Sequence, residues 1–233
     1  MNASPRARAP LTDQPQFVAM DFSALGPREK YKLMIGAVVP RPIALVTTVD
    51  ANGVANAAPF SFFNCLSADP PILAVGVEYR PSGAQKDTGR NIRDTLAFTV
   101  NIVSEAIVQG MNICAVPFPP GVDELRESGL TSMPGVKVPC PWIAEAPAAF
   151  ECRQHTTLSI GNSREIILGE IVYAHFHANV IDVERHYINP GVLDAVGRMG
   201  GHGYATTRDY FNLPTMTVEA WRNDPGAANR RDP

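Results

Sequence analysis

Residues 41 to 64 constrain the fold more than any other stretch of the chain. From Arg41 to Val49 the residues alternate with a period of two. Ile43, Leu45, Thr47 and Val49 share one face, and Ala44, Val46 and Thr48 share the other, which is the pattern of a strand. Asp50-Ala-Asn-Gly53 follows, and Asn-Gly between two such runs is a hairpin turn because both residue types accept positive φ. The chain returns from Val54 to Asn64, with Pro59 inside the returning run. Proline has no N–H to give to a ladder, so Pro59 belongs at a sheet edge or a bulge. This stretch is committed to antiparallel pairing.

The rest of the sequence extends that pattern. Ile72–Val77 is a short apolar run after Pro70-Pro71 and reads as a buried strand. Leu96–Val103 alternates, and Phe150–Ile160 and Glu165–His177 are two long strand candidates joined by Gly161-Asn162-Ser163. Helices are short. Thr88 reads as an N-cap before Arg90, Asn91 and Ile92, and Ser104 as the cap of a helix with Ile107, Met111 and Cys114 on one face. Asp123–Ser128 closes at Gly129, and Asn189-Pro190 reads as an N-cap followed by proline at the first helical position. About six strands and three or four short helices, joined mostly by turns, point to an all-β antiparallel barrel over a doubly wound sheet. The 21 prolines and 18 glycines agree with frequent turns.

The 233 residues suit one domain, read here as a flexible arm over 1–16, an ordered domain over 17–221 and a flexible tail over 222–233. Hydrophobic residues make up 45%, enough to bury a core and to exclude disorder of the whole chain. The net charge of −3 carries no basic excess, which points away from nucleic acid. The N-terminal residues have no apolar h-region, and the long uncharged stretch Ala51–Ala68 carries Asn, Gly, Pro and Ser, so no membrane span is expected. Cys65, Cys114, Cys140 and Cys152 lie at long irregular intervals without Cys-x-x-Cys. They read as reduced thiols of a cytoplasmic protein.

Two polar groups stand out. Thr47, Thr48, Asn56, Ser61 and Asn64 place small amides and hydroxyls in apolar segments. Such groups orient a flat heterocycle without setting a charge against it, and they are equally the polar face of a half-solvated sheet. Lys86-Asp87-Thr88-Gly89-Arg90-Asn91 sets cations, a hydroxyl and a glycine at a helix start. That is the chemistry of a phosphate site or of a solvated capped helix end. Gly197–Gly203 has the wrong spacing and no βαβ unit for a dinucleotide fingerprint, so it reads as a turned or mobile loop. His175 and His177 share a strand face, yet no clear third ligand joins them, with His155, His186 and Glu170 as weak options, so no metal site is read. No Gly-x-Ser-x-Gly supports a hydrolase, and no catalytic acid or base is identified.

Arg41-Pro-Ile-Ala-Leu-Val-Thr-Thr-Val-Asp50, Asn56-Ala-Ala-Pro-Phe-Ser-Phe-Phe-Asn64 and Ser67-x-x-Pro-Pro71 together resemble the flavin reductase-like family. Lys86-Asp87-Thr88 with Asn91-Ile92, Gly169-Glu170-Ile171-Val172, and Gly197-Arg198 with Gly200-Gly201 and Tyr204 resemble its later motifs, so the likeness runs from Tyr31 to Phe211. The resemblance implies a six-stranded Greek-key split barrel, a homodimer, and FMN or FAD near the dimer interface. Thr47, Thr48, Asn56, Ala58, Pro59, Ser61, Phe62, Phe63 and Asn64 would edge the ring and ribityl chain. Lys86, Asp87, Thr88 and Asn91 would surround the phosphate, with Arg198 and Tyr204 approaching the same pocket. The implied activity is hydride transfer from NADH or NADPH to flavin, with a partner monooxygenase as one destination for the reduced flavin. The alternatives are a flavin-binding electron carrier without nicotinamide activity and a non-catalytic flavin- or haem-binding module. Gly161-Asn162-Ser163-Arg164-Glu165 stands where the shorter reductases of the family carry a Gly-Asp-His triplet.

Overall fold

The structure is a computed structural model describing residues 17–119 and 121–224. Seven strands form one antiparallel sheet: β1 (Ala44–Val49), β2 (Ala55–Phe60), β3 (Phe63–Ala68), β4 (Pro71–Glu78), β5 (Ala97–Ile102), β6 (Ala148–Ile160) and β7 (Arg164–Phe176). Their order is β2-β1-β5-β6-β7-β4-β3. The end strands β2 and β3 are consecutive in sequence, joined only by Ser61 and Phe62. The sheet must therefore curl until its two edges approach, yet no ladder joins β2 to β3. The wall is split at that seam.

The count is seven strands rather than six because the run from Val54 to Asn64 breaks. Pro59 pairs with Leu45 in the edge strand β2, as its missing N–H requires. After Phe60 the chain leaves that edge, and Phe63–Ala68 pairs with β4 on the other. The hairpin turn itself falls at Asp50–Val54, with Gly53 at φ +80. The Asp50 carboxylate accepts from the backbone N–H groups of Asn52 and Val54, both at 2.8 Å.

The alternation along β1 serves two cores rather than one core and solvent. Ala44 and Val46 face a cluster with Val75, Val77, Phe98, Val100 and Ile167 inside the curl. Ile43 and Leu45 face a second cluster outside it, with Ile107, Met111, Cys114, Leu125 and Ile143. That second cluster is roofed by two short helices, Val108–Ile113 and Glu124–Ser128. The second is bounded as its sequence signals require: Asp123 caps Leu125 and Arg126, and Gly129 closes it in the left-handed conformation. Asn189 likewise caps Pro190–Leu193. The Gly161–Ser163 turn joins the 13-residue strands β6 and β7.

Buried Glu151 on β6 fastens the outer segment 136–138 to the sheet. Its carboxylate accepts from the backbone N–H groups of Val136, Lys137 and Val138 at 2.7, 2.6 and 3.1 Å, and pairs with His175 Nε2 at 2.7 Å. Burial pushes this carboxyl up, but these bonds outweigh it and hold the group below the usual carboxylate range. His175 is stacked on Trp142. Among the described residues no cluster of His, Cys, Asp or Glu could hold a metal, and all four cysteines are free.

Two helices lie outside the sequence expectations: Pro27–Ala37 and Val218–Asn223. The second crosses the expected start of the tail at 222. The arm over 1–16 and the tail beyond 224 lie outside the described residues. The Gly197–Gly203 run starts in a strand and then makes a tight turn over 199–203, with Gly201 at φ +59 and the Gly203 N–H donating to the Gly200 carbonyl. Its start and the residues after it form a hairpin, Val196–Arg198 with Tyr204–Thr206, and Val196–Arg198 pairs in turn with Arg41–Pro42.

Arg41 ties these outlying pieces together. It is buried, and its Nη1 donates to the carbonyls of Ile35 and Val38 at 2.7 and 2.8 Å. Its Nη2 donates to the Met199 carbonyl at 3.1 Å, and its Nε to Ser61 Oγ at 3.4 Å. Ile35 belongs to the last turn of helix Pro27–Ala37, and Val38 caps it. The exposed carbonyls there carry the negative end of the helix dipole, which answers the guanidinium charge without a carboxylate. The glycines allow this closeness: a Cβ on Gly197 would lie 2.7 Å from Pro40 Cβ, and one on Gly200 would lie 3.3 Å from Gly36 Cα.

Replacing Arg41 by Lys keeps the charge but cannot reach all these acceptors, so stability in urea should fall by about 2–3 kcal/mol. A loss below about 0.5 kcal/mol, the size of an ordinary surface change, would show the fork to be dispensable. Packing inside the curl gives a second expectation. A Cβ on Gly169 would meet Phe98 Cζ at 2.3 Å, whereas one on Gly36 meets nothing within 4 Å. Gly169→Ala should cost about 1–3 kcal/mol and Gly36→Ala should be neutral or stabilising. Thermal melts of the two variants check this, and equal melting temperatures would contradict it.

Candidate functional site

The site forms where the seam between β2 and β3 meets the helix Asp87–Thr95. This helix lies against the hairpin through two side-chain bonds. Asn56 Nδ2 donates to Thr88 Oγ1 at 3.1 Å, and Asn91 Nδ2 donates to Thr48 Oγ1 at 3.0 Å. Its far side is held by the buried Glu165 carboxylate, which accepts from Tyr79, Gln85 and Arg93. The N-cap is Lys86, two residues before the expected Thr88, and no side chain caps the helix. Thr88 instead sits inside the first turn, and its hydroxyl is engaged by Asn56. The first-turn N–H groups are therefore left for something else.

That helix start opens onto a cavity of about 330 Å³ lined by Asn56, Ala58, Pro59, Lys86, Asp87, Thr88, Cys114 and Glu124. A larger cavity of about 520 Å³ adjoins it and shares Pro59, Phe60, Glu78, Lys86 and Ala115 with it. The larger one runs along the seam residues Ser61 and Phe62 to Arg41, Arg198 and Tyr204. Together they make one trough, and each is within the size of small-molecule sites, roughly 300–1,000 Å³.

The sequence candidates divide accordingly. Asn56, Ala58, Asp87 and Thr88 line the smaller cavity, Ser61, Phe62, Arg198 and Tyr204 the larger, and Pro59 and Lys86 both. Thr47, Thr48, Phe63, Asn64 and Asn91 line neither. Thr47 is buried in the outer core, where its hydroxyl bonds the Pro141 carbonyl and accepts from Asn101 Nδ2 at 3.2 Å. Thr48 and Asn91 are the clamp, and the Asn91 Oδ1 is buried without a partner among the described residues. Asn64 is exposed and turned back on the Cys65 N–H. Thr47 and Thr48 are thus interior groups rather than the polar face of a solvated sheet.

Several wall residues escaped the sequence reading. Tyr31 and Ile35 arrive on the first helix, and Arg164 arrives from the start of β7. Phe62 lies between two of them: its ring is stacked on Tyr31 with centroids 6.4 Å apart, and the Arg164 guanidinium sits 4.0 Å above it. Gly76 permits the crossing, since a Cβ there would lie 3.0 Å from Phe62 Cβ. Arg164 stands in the segment that departs from the Gly-Asp-His pattern, which was its one visible signal.

The cavity charges are shared unequally. Glu78 pairs with Lys86 at 2.6 Å and with Arg164 at 3.6 Å, and Asp87 pairs with Arg80 and Arg90 at 2.7 and 2.5 Å. In the smaller cavity burial pushes the Glu124 carboxyl up against the opposing bond from the Ala57 N–H. Burial likewise pushes up the Cys114 thiol, which keeps it protonated. The trough therefore offers N–H groups and cations at its walls, and a thiol held in its protonated form.

Comparison with known proteins follows the same outline. The family described as the flavin reductase like domain matches residues 35–191. An uncharacterized protein of Deinococcus radiodurans is 41% identical over 218 residues, covering 91% of this chain and 96% of that one. The crystal structure of nitrilotriacetate monooxygenase component B from Bacillus cereus is similar, with a TM-score of 0.81 at 29% identity over 86% of this chain and 100% of that one. That of the 2-nitrobenzoate 2-nitroreductase NbaA from Pseudomonas fluorescens gives a TM-score of 0.80 at 34% identity over 86% of this chain and 98% of that one. No helix among the described residues is long and apolar enough to cross a membrane. With the motifs of the hairpin, the helix start and the late hairpin all built into one trough, the chain belongs to the flavin reductase-like family.

Proposed function

We propose that this protein is an FMN-dependent oxidoreductase that takes hydride from NADH or NADPH. The observation that carries the reading is the uncapped N-terminus of helix Asp87–Thr95, opening beside Lys86 and Thr88 onto a trough that continues to Phe62. Free first-turn N–H groups and the helix dipole suit a phosphate dianion. Lys86 adds a cation there, held in place by Glu78. The ribityl chain fits beside Asn56, Ala58 and Pro59, and the ring beside Ser61 and Phe62.

Bound flavin supplies hydride and electron transfer between a reduced nicotinamide and a further acceptor. The chain's own part is to bind and orient. The strand residues Ala58–Phe60 form a firm wall because β2 is locked to β1 in register. The open seam leaves the other side of the trough accessible for a second substrate. Hydride transfer of this kind needs no protein acid or base. The names of the two similar structures support two destinations for the electrons: a partner monooxygenase, as for a monooxygenase component B, or direct reduction of a small acceptor, as for a nitroreductase. A second copy of the chain is the partner that suits the exposed edge strand β3, where Leu66 is 60% exposed.

Titration with FMN and riboflavin tests the phosphate end. Lys86→Ala should weaken FMN by about 1–3 kcal/mol, as for a lost charge-assisted bond, and leave riboflavin nearly unchanged. Equal losses for both ligands would reject the phosphate role. Anaerobic NADH or NADPH should then bleach the flavin absorbance of the loaded protein. Absorbance that persists with both nucleotides would favour the electron carrier.

A further inference from the structure

Arg198 is a cation of the trough to which the proposed flavin position assigns no partner. The larger cavity is lined by four permanent cations, Arg41, Lys86, Arg164 and Arg198, and by one carboxylate, Glu78. Glu78 is shared by Lys86 and Arg164, and Arg41 is answered by helix-end carbonyls. Arg198 forms no ion pair among the described residues. Its Nη1 donates to the Tyr204 hydroxyl, its Nη2 donates to the Gly201 carbonyl at 2.7 Å, and its guanidinium lies 4.6 Å from the Tyr204 ring centroid. All of these partners are neutral. Because the Tyr204 oxygen already accepts, its own proton is left to donate. His202 lines the same cavity.

This corner gathers donors with no anion to receive them. It belongs only to the larger cavity, whereas Asp87 and Thr88 of the open helix start line only the smaller. The same cavity also has apolar and aromatic lining in Ile43, Phe62 and Met111. Arg198 is also firmly placed, since Val196–Arg198 pairs with both Arg41–Pro42 and Tyr204–Thr206. A planar guanidinium beside a phenolic donor matches the two oxygens of a carboxylate or of a phosphate. We propose that Arg198 and Tyr204 form a second anion site, which holds the carboxylate or phosphate group of the small second substrate that enters beside the flavin. The inference rests on flavin occupying the Lys86–Thr88 end, and it assigns Arg198 and Tyr204 to the second substrate rather than to the flavin.

The test uses the FMN-loaded full chain and calorimetric binding of benzoate, benzamide and ADP-ribose, with FMN affinity measured first for every variant. Benzoate or ADP-ribose should bind about tenfold or more tighter than neutral benzamide. Arg198→Gln should erase that preference while FMN affinity stays within about twofold, and Arg198→Lys should keep part of it. Dependence on Arg198 for benzoate identifies a carboxylate-bearing acceptor, and for ADP-ribose alone it identifies the phosphates of the nicotinamide dinucleotide; either supports the site. An anion preference that is absent, or that survives Arg198→Gln, overturns it. So does a loss of FMN affinity in Arg198→Gln as large as the loss of anion binding, which would return Arg198 to the flavin. Failure of FMN to bind the wild-type chain removes the flavin reading and this site together. FMN binding without anion preference removes this site alone.

Discussion

The Arg41 guanidinium is the interaction on which the trough depends. One buried side chain reaches the end of the first helix just before it, the glycine-rich hairpin 158 positions on, and the seam residue Ser61. A buried charge is costly unless its hydrogen bonds are satisfied. Here the acceptors are carbonyls at a helix end, so the cost of burial is offset only when all three segments are in place. The larger cavity lies among those segments, lined by Ile35 from the first, Arg198 and Gly201 from the second, and Ser61 and Phe62 from the third. Its shape is a consequence of where Arg41 finds its partners.

The other end of the trough depends on a division of labour among small polar groups. Thr48 and Asn56 on the hairpin each hold a residue of the helix Asp87–Thr95, and Glu165 holds it from behind. The helix start is thereby fixed at the mouth of the smaller cavity while its own N–H groups stay uncapped. An Asp or Ser at the cap position would have consumed them. Lys86 there has no acceptor to offer, so the same residue leaves the donors open and brings a positive charge beside them.

Much of this was legible in the sequence. The hairpin over 41–64 carried the period of two and the Asn-Gly turn, and the long β6–β7 pair carried its own turn. The caps at Asp123 and Asn189 hold in the structure because cap chemistry is local. What was not legible depends on contacts distant in sequence. Ser61 and Phe62 look like the middle of a strand, and only the curling of the whole sheet makes them its seam. The helix Pro27–Ala37 buries only Ile35, so it has no apolar stripe to announce it. Thr47 and Thr48 are adjacent and alike, yet one faces the outer core and the other clamps a helix. Arg41 and Arg164 were visible as residues, but the Met199 carbonyl and the Phe62 ring they meet are brought near only by the fold.

On this reading one trough, closed by Arg41 and headed by the uncapped helix, holds the flavin. Hydrogen–deuterium exchange with and without FMN tests it most directly, since it reads each backbone N–H. FMN should slow exchange at Asp87–Arg90 and at Phe60–Phe62, and leave the hairpin tip at Gly161–Ser163 unchanged. Unchanged exchange at Asp87–Arg90 in the presence of saturating FMN would contradict it.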